Sequence, residues 1–160
     1  MVRSFNQIQL TTVKDVEAQA GHKQAKLVRL ANAYEEIIAL GNAEFAVASY
    51  YRLGELHEEF AKSLFNVPTP ANYGPKESSE LKSQLERSAF PLKEQSYKFY
   101  ETAYSQSSEV DSLSEWTVKT YQKMASLAPD KHPEMPEITA EPGYVTSKIA
   151  ISSATETLAH

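Results

Sequence analysis

The chain has 160 residues, a formal net charge of −5 and no cysteine. That length closes one core without disulfides or metal, and the missing thiols exclude a disulfide framework and thiolate metal sites while leaving the redox compartment open. Lysine and arginine are interspersed with acidic residues, so the clustered basic footprint of a nucleic-acid binder is missing, and no apolar run approaches the ~20 residues a membrane helix needs.

The N-terminal stretch MVRSFNQIQL has no continuous apolar segment before a small-residue cleavage site, so no export signal is expected in it. From Phe5 to Leu40 there is no proline, and Val13, Val16, Ala20, Leu27, Leu30, Tyr34 and Ile37 follow a heptad-like spacing interrupted by Lys23. This predicts one long first helix. Phe5, Ile8 and Leu10 fall off its stripe, so its first turns are expected to fray or to pack on something outside the chain. Gly41 is a natural C-terminal cap and Asn42 an N-cap for the next helix, giving a tight antiparallel hairpin.

The second helix is expected to be central. Ala46, Tyr50, Leu53, His57, Phe60 and Leu64 form one stripe, and Val47, Tyr51, Gly54, Ala61 and Phe65 widen it beyond what a single neighbour covers. Gly54 lowers helix propensity by about 1 kcal/mol relative to alanine, so its expected use is the close approach of another helix backbone. The prolines of VPTPANYGP end this helix near Asn66. A third helix follows from Ser78 or Ser79 to about Ser105, with Leu85, Ala89, Leu92, Ser96, Phe99 and Ala103 inward and tyrosines beside them. Pro91 predicts a kink, or a break over 88–90. Ser112 and Glu115 make a capping box for a fourth helix carrying Leu113, Trp116, Tyr121, Met124 and Leu127. The segment PDKHPEMPEITAEPG holds four prolines in fifteen residues, and a short alternating run through Val145, Ile149 and Ile151 lies beyond it. The expected organisation is an all-α domain of four main long helices over 1–128, then a Pro-rich linker and weakly structured tail over 129–160.

No motif specifies a reaction. His57 lies on the apolar stripe beside Glu55, Glu58 and Glu59, but HExxH and paired Glu-x-x-His segments are absent, so it reads as a structural imidazole. The acidic pairs Glu35–Glu36 and Glu58–Glu59 read as solvated helix faces. No cofactor, metal or catalytic residue is called for. The candidate partner-binding residues are aromatic: Tyr51, Tyr97, Tyr100, Tyr104 and Trp116 line a groove if they face outward, and form interhelical packing with their hydroxyls in water if they do not. A protein or peptide partner is expected, with the chain's own tail around 144–151 as a further occupant of such a groove.

Tyr50, Leu53, Gly54 and His57, followed by Ser96, Tyr100 and Ala103, resemble the tetratricopeptide repeat, whose paired helices carry an aromatic, Leu-Gly, a second aromatic and later a small-aromatic-small set. Tyr50 stands for the usual tryptophan, His57 for tyrosine and Ser96 for alanine. The interval from Gly54 to Ser96, 96 − 54 = 42 residues, exceeds a 34-residue repeat, so a standard repeat is excluded. Over about 27–136 the order of features is similar to expanded repeats in large envelope proteins of gliding and predatory bacteria. That resemblance implies a repeat-like antiparallel bundle, a non-enzymatic scaffolding role and a periplasmic or envelope location. The alternative is a helical domain that holds a small ligand or glycan between Tyr51, His57, Tyr100 and Trp116.

Overall fold

The computed structural model describes residues 2–10, 15–107 and 114–132. Their regular structure is all α-helical: Val2–Asn6 (α1), Val16–Ala39 (α2), Ala43–Phe65 (α3), Pro75–Ser107 (α4) and Glu115–Leu127 (α5).

The expected first helix is divided. α1 ends at Asn6, residues 8–10 are not helical, and α2 starts only at Val16. The off-stripe residues explain the division, because Phe5 and Leu10 are 0% and 5% exposed and enter the same cluster as Leu27, Leu30, Leu56 and Phe60. On a straight helix continuous with α2, rising ~1.5 Å per residue, Phe5 would stand ~33 Å along the axis from Leu27, beyond reach of that cluster. The first turns therefore pack on this chain itself. Within α2, Lys23 is as deeply buried as its apolar neighbour Leu27. At the other end Gly41 turns the chain with φ +73°, donating its amide to Ile38, and the Asn42 side chain accepts from the Phe45 amide.

α3 packs against α2, α4 and α5. Its buried face contains Ala46, Val47, Leu53, Gly54, Leu56, Phe60, Ala61 and Leu64, whereas Tyr50 and His57 lie half-buried at its edges and Phe65 is exposed. Gly54 admits an aromatic side chain, not a backbone: a Cβ at this position would stand 2.6 Å from Cε1 of Tyr100. With Leu64 and Leu85 sharing one cleft and Gly54 meeting Tyr100, α3 and α4 run antiparallel.

α4 starts at Pro75, earlier than Ser78, because proline needs no amide partner in a first helical turn and Glu77 accepts from the Gly74 amide. It runs on through Pro91 without the expected break. Pro91 itself is exposed, while Ala89 is fully buried and Leu92 half-buried, so packing on either side holds the helix together. Its deepest residues are Leu85, Ala89, Ser96, Tyr100, Ala103 and Ser107, with Phe99 displaced to the edge.

Ser114 caps α5, accepting from the Thr117 amide; the expected cap Ser112 and Leu113 lie outside the described residues. The inward face of α5 is Thr117, Thr120, Met124 and Ala125, with Leu127 exposed. Threonine is tolerated there because Thr120 returns its hydroxyl to the Trp116 carbonyl at 2.8 Å. After Leu127 the chain folds back, with Lys131 and His132 amides on the Ala128 carbonyl and the His132 ring against Tyr104. Of the linker and tail expected over 129–160, only residues 129–132 are described, and 133–160 lie outside the described residues.

Candidate functional site

Four of the five candidate aromatic residues fall into two clusters. Tyr51 on α3 lies between Tyr100 of α4 and Trp116 of α5, with centroid separations of 5.3 and 5.8 Å. Tyr104 on α4 lies between Tyr121 at 4.8 Å and His132 at 4.5 Å. Tyr97 is half-buried and belongs to neither. The structure therefore joins Tyr51, Tyr100 and Trp116, and sets Tyr104 apart from them. Tyr100 is 0% exposed, so its ring presents no surface to a partner.

Nor does the Tyr100 hydroxyl reach water. It donates to Glu58 Oε2 at 2.8 Å, and the same carboxylate accepts from Lys123 at 2.7 Å and Lys62 at 2.9 Å. Burial by itself would raise the Glu58 pKa, but the hydrogen bonds from Lys123, Lys62 and Tyr100 outweigh it and bring the carboxyl down to about 2. The Tyr100 hydroxyl is pushed well above its ordinary range, by burial first and then by its bond to Glu58. Glu58 is therefore no solvated face residue. Ionised at neutral pH, it offers no proton there, and its role is electrostatic.

A polar cavity of about 280 Å³ opens beside this centre. Its lining includes Arg52, Lys62 and Lys123 together with Glu55, Glu58 and Glu59, so it carries both charges in equal number, with Arg52 paired to Glu55 and both lysines to Glu58. The space foreseen for a ligand among Tyr51, His57, Tyr100 and Trp116 is occupied by ring contacts. His57 donates from Nδ1 to the Leu53 carbonyl at 2.8 Å and packs on Phe99, and burial lowers its pKa against the opposing effect of that bond. Among the described residues no three histidine or carboxylate side chains converge as metal ligands, and no helix is long and apolar enough to cross a membrane.

Apolar concavities also occur among the described residues. One, of about 680 Å³, separates α2 from α4 over Phe60, Leu64 and Leu85. Another, about 420 Å³, is formed by Tyr34, Ile37, Leu40, Phe45, Ala48, Ser49, Arg52 and Trp116 where the α2–α3 hairpin meets α5. Leu40 is 77% and Phe45 56% exposed at its rim. The Arg52 guanidinium and the Lys119 ammonium each stand 4.7 Å from the Trp116 ring centroid. Sequence periodicity missed this surface because Ile37, Leu40 and Phe45 surround a turn, where no helical stripe gathers them. Of the charged centre, the four-residue spacing of Glu58 and Lys62 is a signal that the reading of Glu58 as a solvated face overlooked, whereas Lys123 comes from another helix.

Comparison of the chain with protein-family models, with curated proteins and with solved structures finds no match.

Proposed function

We propose that the protein is a non-enzymatic interaction and scaffolding module whose contact surface is the depression around Trp116. The observation that carries this is the gathering of Leu40, Phe45 and Ile37, all exposed, about one indole. Large apolar side chains clustered at a surface favour a partner, whereas singly scattered ones need none. The cations beside the indole define the partner further. Arg52 is paired with Glu55 and Lys119 with Glu115, but such exposed pairs exchange readily. The surface suits a protein segment that places apolar side chains in the depression and carboxylates toward Arg52 and Lys119.

The tetratricopeptide-like reading of the bundle is part of the same proposal. It is supported by the meeting of Gly54 with Tyr100 and by the burial of Ser96 and Ala103, the positions on which the likeness rests. Membership of a bacterial envelope assembly follows only from that likeness. A small ligand or glycan among the aromatic rings has less support, since the rings contact one another.

The test is capture of partners from source cells by the wild type and by a Leu40→Asp, Phe45→Asp variant, followed by binding measurements with the purified partner. A partner bound at least tenfold more weakly by the variant supports the surface. Equal binding to both proteins, or no specific capture by the wild type, refutes it.

A further inference from the structure

Residues 2–10 are held as a receptor holds a short peptide. Two of their side chains are buried in the core cluster, Phe5, whose ring meets that of Phe60 at 6.5 Å between centroids and 87° between planes, and Leu10, while Val2 packs against the same cluster. Arg3, Asn6, Gln7 and Gln9 point to solvent. The main chain is read directly, as Lys23 Nζ donates to the Ile8 carbonyl between the anchors at 3.1 Å and Lys26 Nζ to the Ser4 carbonyl just before Phe5 at 3.3 Å. These lysines are three apart on α2 and so share one helix face. Anchoring pockets that select side chains, combined with groups that bind backbone irrespective of sequence, are the elements of peptide recognition.

Lys23 is the telling residue. It is 1% exposed, and its ammonium stands 4.9 Å from the Phe5 centroid and 6.0 Å from that of Phe60. An ammonium in an apolar stripe is unfavourable unless something accepts from it and an aromatic face attracts it. Residues 2–10 supply the acceptor, at Ile8, and the nearer of the two rings, at Phe5, with Phe60 of α3 the other. The segment in turn gains two buried side chains, the packing of Val2 and two hydrogen bonds, set against the entropy of ordering nine residues.

We propose that this face of α2 and α3 is a peptide-binding site, and that residues 2–10 are its tethered occupant, exchangeable for a partner segment bearing phenylalanine and, five residues later, leucine. The site is separate from the Trp116 surface, so either stands or fails without the other.

The probe is a fluorescent synthetic peptide, VRSFNQIQL, titrated by fluorescence anisotropy into full-length protein. Two variants free the site. Phe5→Ala removes the anchor; Asn6→Pro leaves every buried side chain in place but removes the Asn6 amide and clashes with the Val2 carbonyl, breaking α1. Each variant is expected to bind the peptide at least tenfold more tightly than the wild type, whose own segment competes. The same peptide with alanine in place of Phe5 should bind neither. Folded variants that do not bind, wild-type binding as tight as theirs, or unfolding of both variants would each overturn the proposal, the last by making residues 2–10 integral to the core.

Discussion

The Tyr100 ring occupies the space in which a side chain at Gly54 would stand: an added Cβ would lie 2.6, 2.7 and 2.9 Å from three of its ring carbons. Through this approach the hydroxyl reaches Glu58, one helical turn along α3, and so joins the aromatic stack to the charged centre shared with Lys123. One absent side chain lets three helices meet at one carboxylate.

Gly54→Ala should therefore destabilise the protein, although alanine favours a helix by about 1 kcal/mol. Overpacking against a fully enclosed ring outweighs that gain, and a net loss of about 1–3 kcal/mol is expected in urea unfolding. In a Tyr100→Ala background the obstruction is gone, so the same substitution should become neutral or stabilising. A loss of equal size in both backgrounds would show that the ring is not the obstacle.

Tyr100→Phe keeps the ring and deletes the bond to Glu58. A hydrogen bond to a charged acceptor contributes about 1.5–3 kcal/mol, and this is the expected loss. Because that bond helps to hold the Glu58 pKa down, the variant should also raise it, measurable by carboxyl carbon NMR. An unchanged titration would mean that the lysines alone set it.

Acid should reveal the same centre. The folded pKa of Glu58 is about 2 against an unfolded 4.5, so its contribution is complete above about pH 4.5 and lost as pH falls through 2. Its size is on the order of 2 kcal/mol after allowance for partial exposure. The stability difference between wild type and Glu58→Gln should therefore shrink steadily between pH 5 and 2. A constant difference over that range would exclude the carboxylate charge as its source.

What was legible in the sequence was what depends on near neighbours. The Gly41 and Asn42 caps, the central position of α3 and the buried run of Leu85, Ala89, Ser96 and Ala103 all follow from spacings within one turn or one helix. Tyr100, read as a candidate contact residue, is interior because Gly54 admits it, a relation between separate helices. Lys23 looked like a flaw in a heptad because its acceptor, the Ile8 carbonyl, belongs to a segment whose fold-back leaves no periodic trace. The Trp116 depression was invisible for a third reason, since its exposed members flank a turn.

Pro91 offers a test in which the sign is informative. Within α4 it supplies no amide to the carbonyl four residues earlier and crowds it, effects that together amount to about 3 kcal/mol in a helix interior. Proline also restricts the unfolded chain, which returns about 0.4–1 kcal/mol to the native state. Since Pro91 is exposed, Pro91→Ala leaves no cavity in the core, and a stabilisation of about 2–2.6 kcal/mol is expected from thermal or urea unfolding. Pro91 also lines the cleft that separates α2 from α4 over Phe60 and Leu64. If alanine instead destabilises the protein, the proline ring's own packing along that cleft must outweigh the lost helix hydrogen bond, and the width of the cleft would then be set by this one ring.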